Sequence, residues 1–183
     1  MADPTDIQRL IGDLSREGTV VSVDHATGTA RVRFADDVTT GDIPWLSPRS
    51  GKTRVWAPPS VGEQVSVLSP EADTKRGVII GSLSSDAHPH PARNSSTLME
   101  FGDGAQIEYD PEAHMLRAVL PGGGLAHLEA ESVVLRGTVY IQGSAFVSGQ
   151  ITVDGDVVGA GKSLKDHVHT GVQAGAAVSG KPQ

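Results

Sequence analysis

Apolar and polar positions change their period several times along the chain, and each change marks an element. Ile7, Leu10, Ile11 and Leu14 recur at i, i+3, i+4 and i+7. That spacing predicts a short amphipathic helix over 4–16, with Asp3 as a cap, Pro4 in the first turn and Gly18 as a stop. A helix this short is marginal alone, so its stripe must pack on its own domain or on a partner subunit. From Gly18 onward the period shortens to two. "GTVVSVDHATGTARVRF" reads as two alternating strands around a turn containing Thr27-Gly28, with Val21 and Val23 on one face of the first and Ala30, Val32 and Phe34 on one face of the second. "DIPWLSPRSGKTRVWAPPSVGEQVSVLSP" and "RGVIIGSL" continue as short strands broken by Pro and Gly. About five strands in this space predict a small closed barrel over 17–83, of which the OB-fold is the commonest form. The polar, proline-containing stretch 84–97 reads as a linker, and its His88 and His90 as solvated side chains.

A third pattern begins at Val133. Residues 133–162 divide into sixes: VVLRGT, VYIQGS, AFVSGQ, ITVDGD, VVGAGK. Position one is Val133, Val139, Ala145, Ile151 and Val157; position three is Leu135, Ile141, Val147, Val153 and Gly159. Position five is Gly137, Gly143, Gly149, Gly155 and Gly161. A fixed six-residue period marks a solenoid of strands. Positions one and three share a face because strand side chains alternate, and glycine at five permits a sharp corner. The preceding stretch, from Thr97, alternates over longer strands with turns at Asp110-Pro111 and Gly122–Gly124. Five hexads would make fewer than two coils of a single-chain β-helix, too few for a stable repeat array. Three chains winding together solve this: each supplies one side of a triangular prism at each level, and no lateral strand edge remains. The expectation is therefore an all-β chain: a short N-terminal helix (1–16), an OB-fold-like barrel (17–83), a linker (84–97), an intertwined trimeric, triple-stranded β-helix (98–162), and an apex with its tail (163–183).

Composition sharpens this picture. The chain has 183 residues with Gly 22 against Trp 2, Tyr 2 and Phe 3, a poor supply of large side chains for a solitary core. It has no cysteine, which excludes disulfides and thiolate metal sites. No apolar run reaches the length of a membrane-spanning helix, and the first residues lack the pattern of a secretory signal. A net charge of -7, with two Trp and one Phe among mixed charges in the barrel, argues against nucleic acid as a partner. "GDGAQIEY" contains glycines but no phosphate-binding loop.

The candidate chemistry lies just past the last hexad, in "SLKDHVHTGVQAG". His167 and His169 face one side of an extended chain and Val168 the other. If that side is a three-fold axis, three chains present six imidazoles in two layers. Zinc in proteins prefers four ligands; an octahedral six-nitrogen site favours iron(II), with nickel or cobalt as competitors. With every coordination position filled by protein, such a metal is structural rather than catalytic. It would tie together three chain ends where fraying is worst. Further ions along the axis are compatible with the pattern.

The order of these features resembles the central spike protein of contractile phage tails, the baseplate assembly protein V family. The resemblance rests on the amphipathic start, the segment "REGTVVSVDHATGTARVRF", the hexads and the terminal "HVHTGV". It implies a homotrimer in the virion tail baseplate, made in the host cytoplasm, whose OB-like domains attach to the tail hub. It also implies a needle driven through the bacterial outer membrane by sheath contraction, with one iron held at its tip by His167 and His169 of three chains. R-type bacteriocins and type VI secretion use similar spikes, so the parent machine stays open. No enzyme is expected. A hexapeptide-repeat acyltransferase would need many more hexads, and a metal hydrolase using Asp166 would need a side chain that points away from both histidines. A polysaccharide-active tail fibre would carry a large receptor domain.

Overall fold

The computed structural model describes residues 7, 11–35, 37–168, 171 and 175. Its two compact units divide between His127 and Leu128. Helical backbone is present at residue 7 and at 11–14, and the chain enters a strand at once at Ser15. The expected helix therefore ends two residues early among the described residues. Its apolar stripe, seen at Ile7, Ile11 and Leu14, is exposed in the single chain.

The first unit is built on five antiparallel strands: β1 (Ser15–Asp24), β2 (Thr29–Phe34), β3 (Ile43–Pro44), β4 (Gln64–Leu68) and β5 (Val78–Leu83). They lie in the order β3-β2-β1-β4-β5. The sheet curls until Trp45, just past β3, bridges Ile79 of β5, and the Leu46 amide donates to the Ile79 carbonyl at 2.8 Å. This is a half-barrel rather than a fully closed one. β3 is two residues long and one of them is Pro44, which has no N–H to extend the ladder. Inside the curl lie Val20, Ala30, Val32, Phe34, Ile43, Val65, Val67 and Ile79, all buried, with Val23 and Trp45 packed against them.

The alternation in β2 places Ala30, Val32 and Phe34 inward, as the sequence pattern predicts. In β1 the inward residue is Val20 and not Val21. Val20 pairs with Val32 while Ser22 pairs with Arg31, so Val21 is the extra residue of a β-bulge. A bulge reverses the facing of everything beyond it, and this is why both Val20 and Val23 reach the core despite their odd separation. The turn after β1 is held by Asp24, whose carboxylate accepts the amides of Ala26 at 2.9 Å and Thr27 at 3.3 Å.

Also within the first unit, β6 (Thr97–Glu100), β7 (Gln106–Asp110) and β8 (Met115–Val119) form a three-stranded antiparallel meander. The β7–β8 turn is the expected one: the Asp110 carboxylate accepts the amides of Glu112 at 2.8 Å and Ala113 at 3.1 Å. Pairing aligns Met99, Ile107 and Ala118 in one row and Tyr109 with Leu116 in the next. These residues share one face, because neighbours two apart on a strand point the same way. Met99, Ile107, Tyr109 and Leu116 are all exposed in the single chain. The opposite face carries Glu108 and Arg117, 3.9 Å apart.

No strand is present between Val119 and Val158, a stretch whose residues are all described. The first four hexads thus make no ladder with their own chain. Their apolar positions stand open: Leu135 is 70% exposed, Ile141 65% and Ile151 67%. Gly137 and Gly143 take φ of 130° and 139°, backbone that side chains rarely adopt, at the position five where the pattern predicts corners. No described helix is long and apolar enough to cross a membrane.

Candidate metal-binding apex

The fifth hexad departs from the four before it. β9 (Val158–Gly159) and β10 (Lys162–Ser163) pair antiparallel, with Lys162 opposite Gly159 and Ser163 opposite Val158. The two residues between them, Ala160 and Gly161, have φ of 49° and 74°. Positive φ at both centres makes a type I′ hairpin turn, the geometry that follows the natural twist of two paired strands. Position three of this hexad is Gly159, so no bulky side chain holds it to the extended repeat.

Hydrogen bonds fasten the hairpin to the residues that follow. The Leu164 amide donates to the Val157 carbonyl at 2.8 Å. The Lys165 amide donates to Asp156 Oδ1 at 3.0 Å, and the Asp166 amide to Ser163 Oγ at 2.7 Å. The Ser163 hydroxyl, then the Lys165 amide, hold the Asp156 carboxyl below its usual range. His167 Nδ1 lies 3.0 Å from the Leu164 carbonyl oxygen. A carbonyl only accepts, so Nδ1 is the donor of this contact, and Nε2 is the nitrogen that can offer a lone pair to a metal. That arrangement is how metal-ligating imidazoles are commonly held, with one nitrogen on a backbone carbonyl and the other toward the metal. The donor chemistry of His167 therefore fits the expected role.

His169, the second expected ligand, lies outside the described residues. Among the described residues no group of three or more His, Asp or Glu is placed to hold a metal. The other His-x-His pair, His88 and His90, is exposed, and the ring of His90 pairs with Ser84 Oγ at 2.9 Å.

Two features have weaker signatures in the sequence. Asp156 is separated by nine residues from the amide it accepts. Only the small-residue turn Gly159–Gly161 hints that the chain doubles back there. Trp45 and Trp56 come together in the loop after β3, ring centroids 5.2 Å apart, in a cleft shared with Arg49 and Arg54. Along the sequence these aromatics are scattered among mixed charges; the fold gathers them.

Two segments of the chain match known families, and one known protein is similar over part of its length. Residues 16–83 match the family described as the type VI secretion system/phage-baseplate injector OB domain. Residues 163–183 match the GpV apex motif. The chain is 32% identical over 117 residues to the spike protein of Escherichia phage P2, an alignment spanning 63% of this chain and 55% of that protein. The likenesses are thus to an injector OB domain on the curled five-stranded sheet, to an apex motif on the histidine segment and, over part of both chains, to a phage spike protein.

Proposed function

We propose that three copies of this chain form the central spike of a contractile tail baseplate, with residues 98–162 as an intertwined needle and 163–183 as its apex. One observation carries this reading. Four consecutive hexads present exposed apolar side chains and a backbone without strand partners, directly before a segment that matches the apex motif. Backbone donors and acceptors need partners, and apolar rows need cover; two further copies supply both at once. The exposed apolar face of the β6–β8 meander meets the same need on the side toward the OB domain in sequence.

In this assembly His167 and His169 of three chains supply six imidazole nitrogens to one iron(II). The metal is a structural cross-link; it contributes charge and directional bonds at the point where three chain ends would otherwise separate. The Leu164 carbonyl keeps the His167 ring in the ligating tautomer. The role is mechanical and not enzymatic. An interlaced needle resists splaying under axial load because no chain can leave without breaking its neighbours' ladders. Sheath contraction supplies the force that carries the tip through the bacterial outer membrane. The OB domains seat the needle on hub proteins of the baseplate, and the mature protein resides in the virion. The family description covers both secretion and phage machines, so an R-type bacteriocin or a type VI apparatus is the second reading.

The test is mass and metal together. Multi-angle scattering on untagged protein should give three chains per particle, and elemental analysis about one iron per particle. Replacing both His167 and His169 with Ala should remove the iron and leave the trimer assembled. A monodisperse monomer, or full iron in the double variant, would overturn the proposal.

A further inference from the structure

We infer that Asp156 is a positioning residue for the apex metal, acting through the β9–β10 hairpin to hold the ring of His167. The inference rests on the iron-apex reading above and adds to it a residue that lies outside the matched apex motif, which begins at 163.

The hairpin has little else to define it. Each of its strands is two residues long, and Val158 and Leu164 are both exposed. Its shape in the single chain therefore depends on hydrogen bonds rather than on packing. Asp156 sits at the base. Its carboxylate accepts the Lys165 amide at 3.0 Å and also engages the Ser163 hydroxyl. These contacts bracket Leu164 on both sides. The Leu164 amide is spent on Val157 at 2.8 Å, and its carbonyl receives the His167 Nδ1 proton at 3.0 Å. A continuous chain of contacts thus runs from Asp156 through the 163–165 backbone to the imidazole. Removing the carboxylate leaves the Leu164 carbonyl without a fixed direction, and with it the ring orientation.

Outer-shell partners of this kind change metal affinity about 10- to 100-fold when removed. Three copies of Asp156 act on one metal, so a defect in the clamp is felt at three ligands together.

The experiment uses full-length trimer loaded with iron(II), challenged with a chelator, and read as the rate of metal loss. Cobalt(II)-loaded samples report ligand geometry through their visible absorption. Asp156→Ala should lose iron at least about 10-fold faster than the parent and broaden or shift the cobalt bands, with the particle still trimeric. Asp156→Asn keeps an oxygen that accepts the same amide and should restore retention to within a few-fold of the parent. A merely structural role would leave the cobalt spectrum unmoved. If Asp156→Ala fails to assemble, Ser163→Ala decides the matter, since it removes the hydroxyl between Asp156 and the Asp166 amide; faster metal loss is expected, and unchanged retention would overturn the inference. Parent protein that holds iron alongside an Asp156→Ala variant that holds it equally well overturns this inference alone. Parent protein that takes up no metal overturns it together with the reading on which it rests.

Discussion

Gly18 and Val32 meet so closely across β1 and β2 that a Cβ built on the glycine would stand 2.6 Å from Val32 Cγ1. The same Cβ would lie 2.7 Å from the Arg33 carbonyl oxygen and 3.0 Å from the Phe34 ring. The Arg16 guanidinium lies over the same Phe34 ring, 4.1 Å from its centroid. Backbone cannot yield as a flexible side chain can, so Gly18→Ala should destabilise the OB domain by about 1–3 kcal/mol, as overpacked cores do. Both tryptophans of the chain, Trp45 and Trp56, belong to this domain, so their fluorescence in a denaturant titration follows it selectively. Gly81→Ala, at a site with no atom within 4 Å, is the control and should shift the transition by less than about 0.5 kcal/mol.

The bidentate pair of Arg31 and Asp42 predicts a specific acid response. Arg31 Nε lies 2.7 Å from Asp42 Oδ1 and Nη2 lies 3.1 Å from Oδ2. The hydrogen bond from Arg31 pulls the Asp42 carboxyl below its ordinary value of 3.8. A folded pKa below the unfolded one stabilises the fold above the unfolded value, and that contribution fades as pH falls through the folded one. Asp42→Asn should therefore cost a little stability above about pH 4, pH 7 included, and the difference between the two proteins should close as pH falls further; the difference is small because the pair is exposed. Fluorescence-detected unfolding of the two proteins at a series of pH values reads this directly.

The phase of the hexads can be tested by charge. If positions one and three face the three-fold axis, Ile141→Asp puts three carboxylates into one apolar layer, and the particle should dissociate or fail to form. Thr152→Asp, at position two, faces outward and should leave the trimer intact. Scattering mass for the two variants checks the assignment, and the reverse outcome would mean that the opposite row is inside.

Hydrogen exchange offers a further check on the same segment. In the assembled particle the amides of residues 133–157 should exchange far more slowly than their lack of intrachain strand partners would permit. Rapid exchange there, beside protection in β1, β2 and β4, would contradict the needle.

The parts of the fold most legible in the sequence are those set by a period. Ala30, Val32 and Phe34 alternate without interruption, and they are buried as a row. The hexads declare themselves by glycine at every sixth place, and two of these, Gly137 and Gly143, take a φ that side chains rarely adopt, while Gly149 and Gly155 do not. What stayed hidden depends on a single residue or on distance. The bulge at Val21 adds one residue with no change of composition, so the run Val20-Val21-Ser22-Val23 reads equally well in two phases. Half-closure of the barrel depends on the brevity of β3 and on Pro44 within it. At the apex, His167 announces itself by spacing to a second histidine. Asp156 does not, because its partners become neighbours only after the chain has turned at Ala160 and Gly161.

The stretch between β8 and β9, with its ladder unmade, bears on how such a part matures. An OB domain with its own buried core can finish by itself, soon after synthesis. If, as proposed, the distal segment borrows its ladder from two further copies, it cannot; its completion would be a termolecular event governed by mass action. Dilution would then leave molecules with a finished head and an unfinished shaft, and the supply of copies in the producing cell, more than the lifetime of any one of them, would set how many usable particles appear.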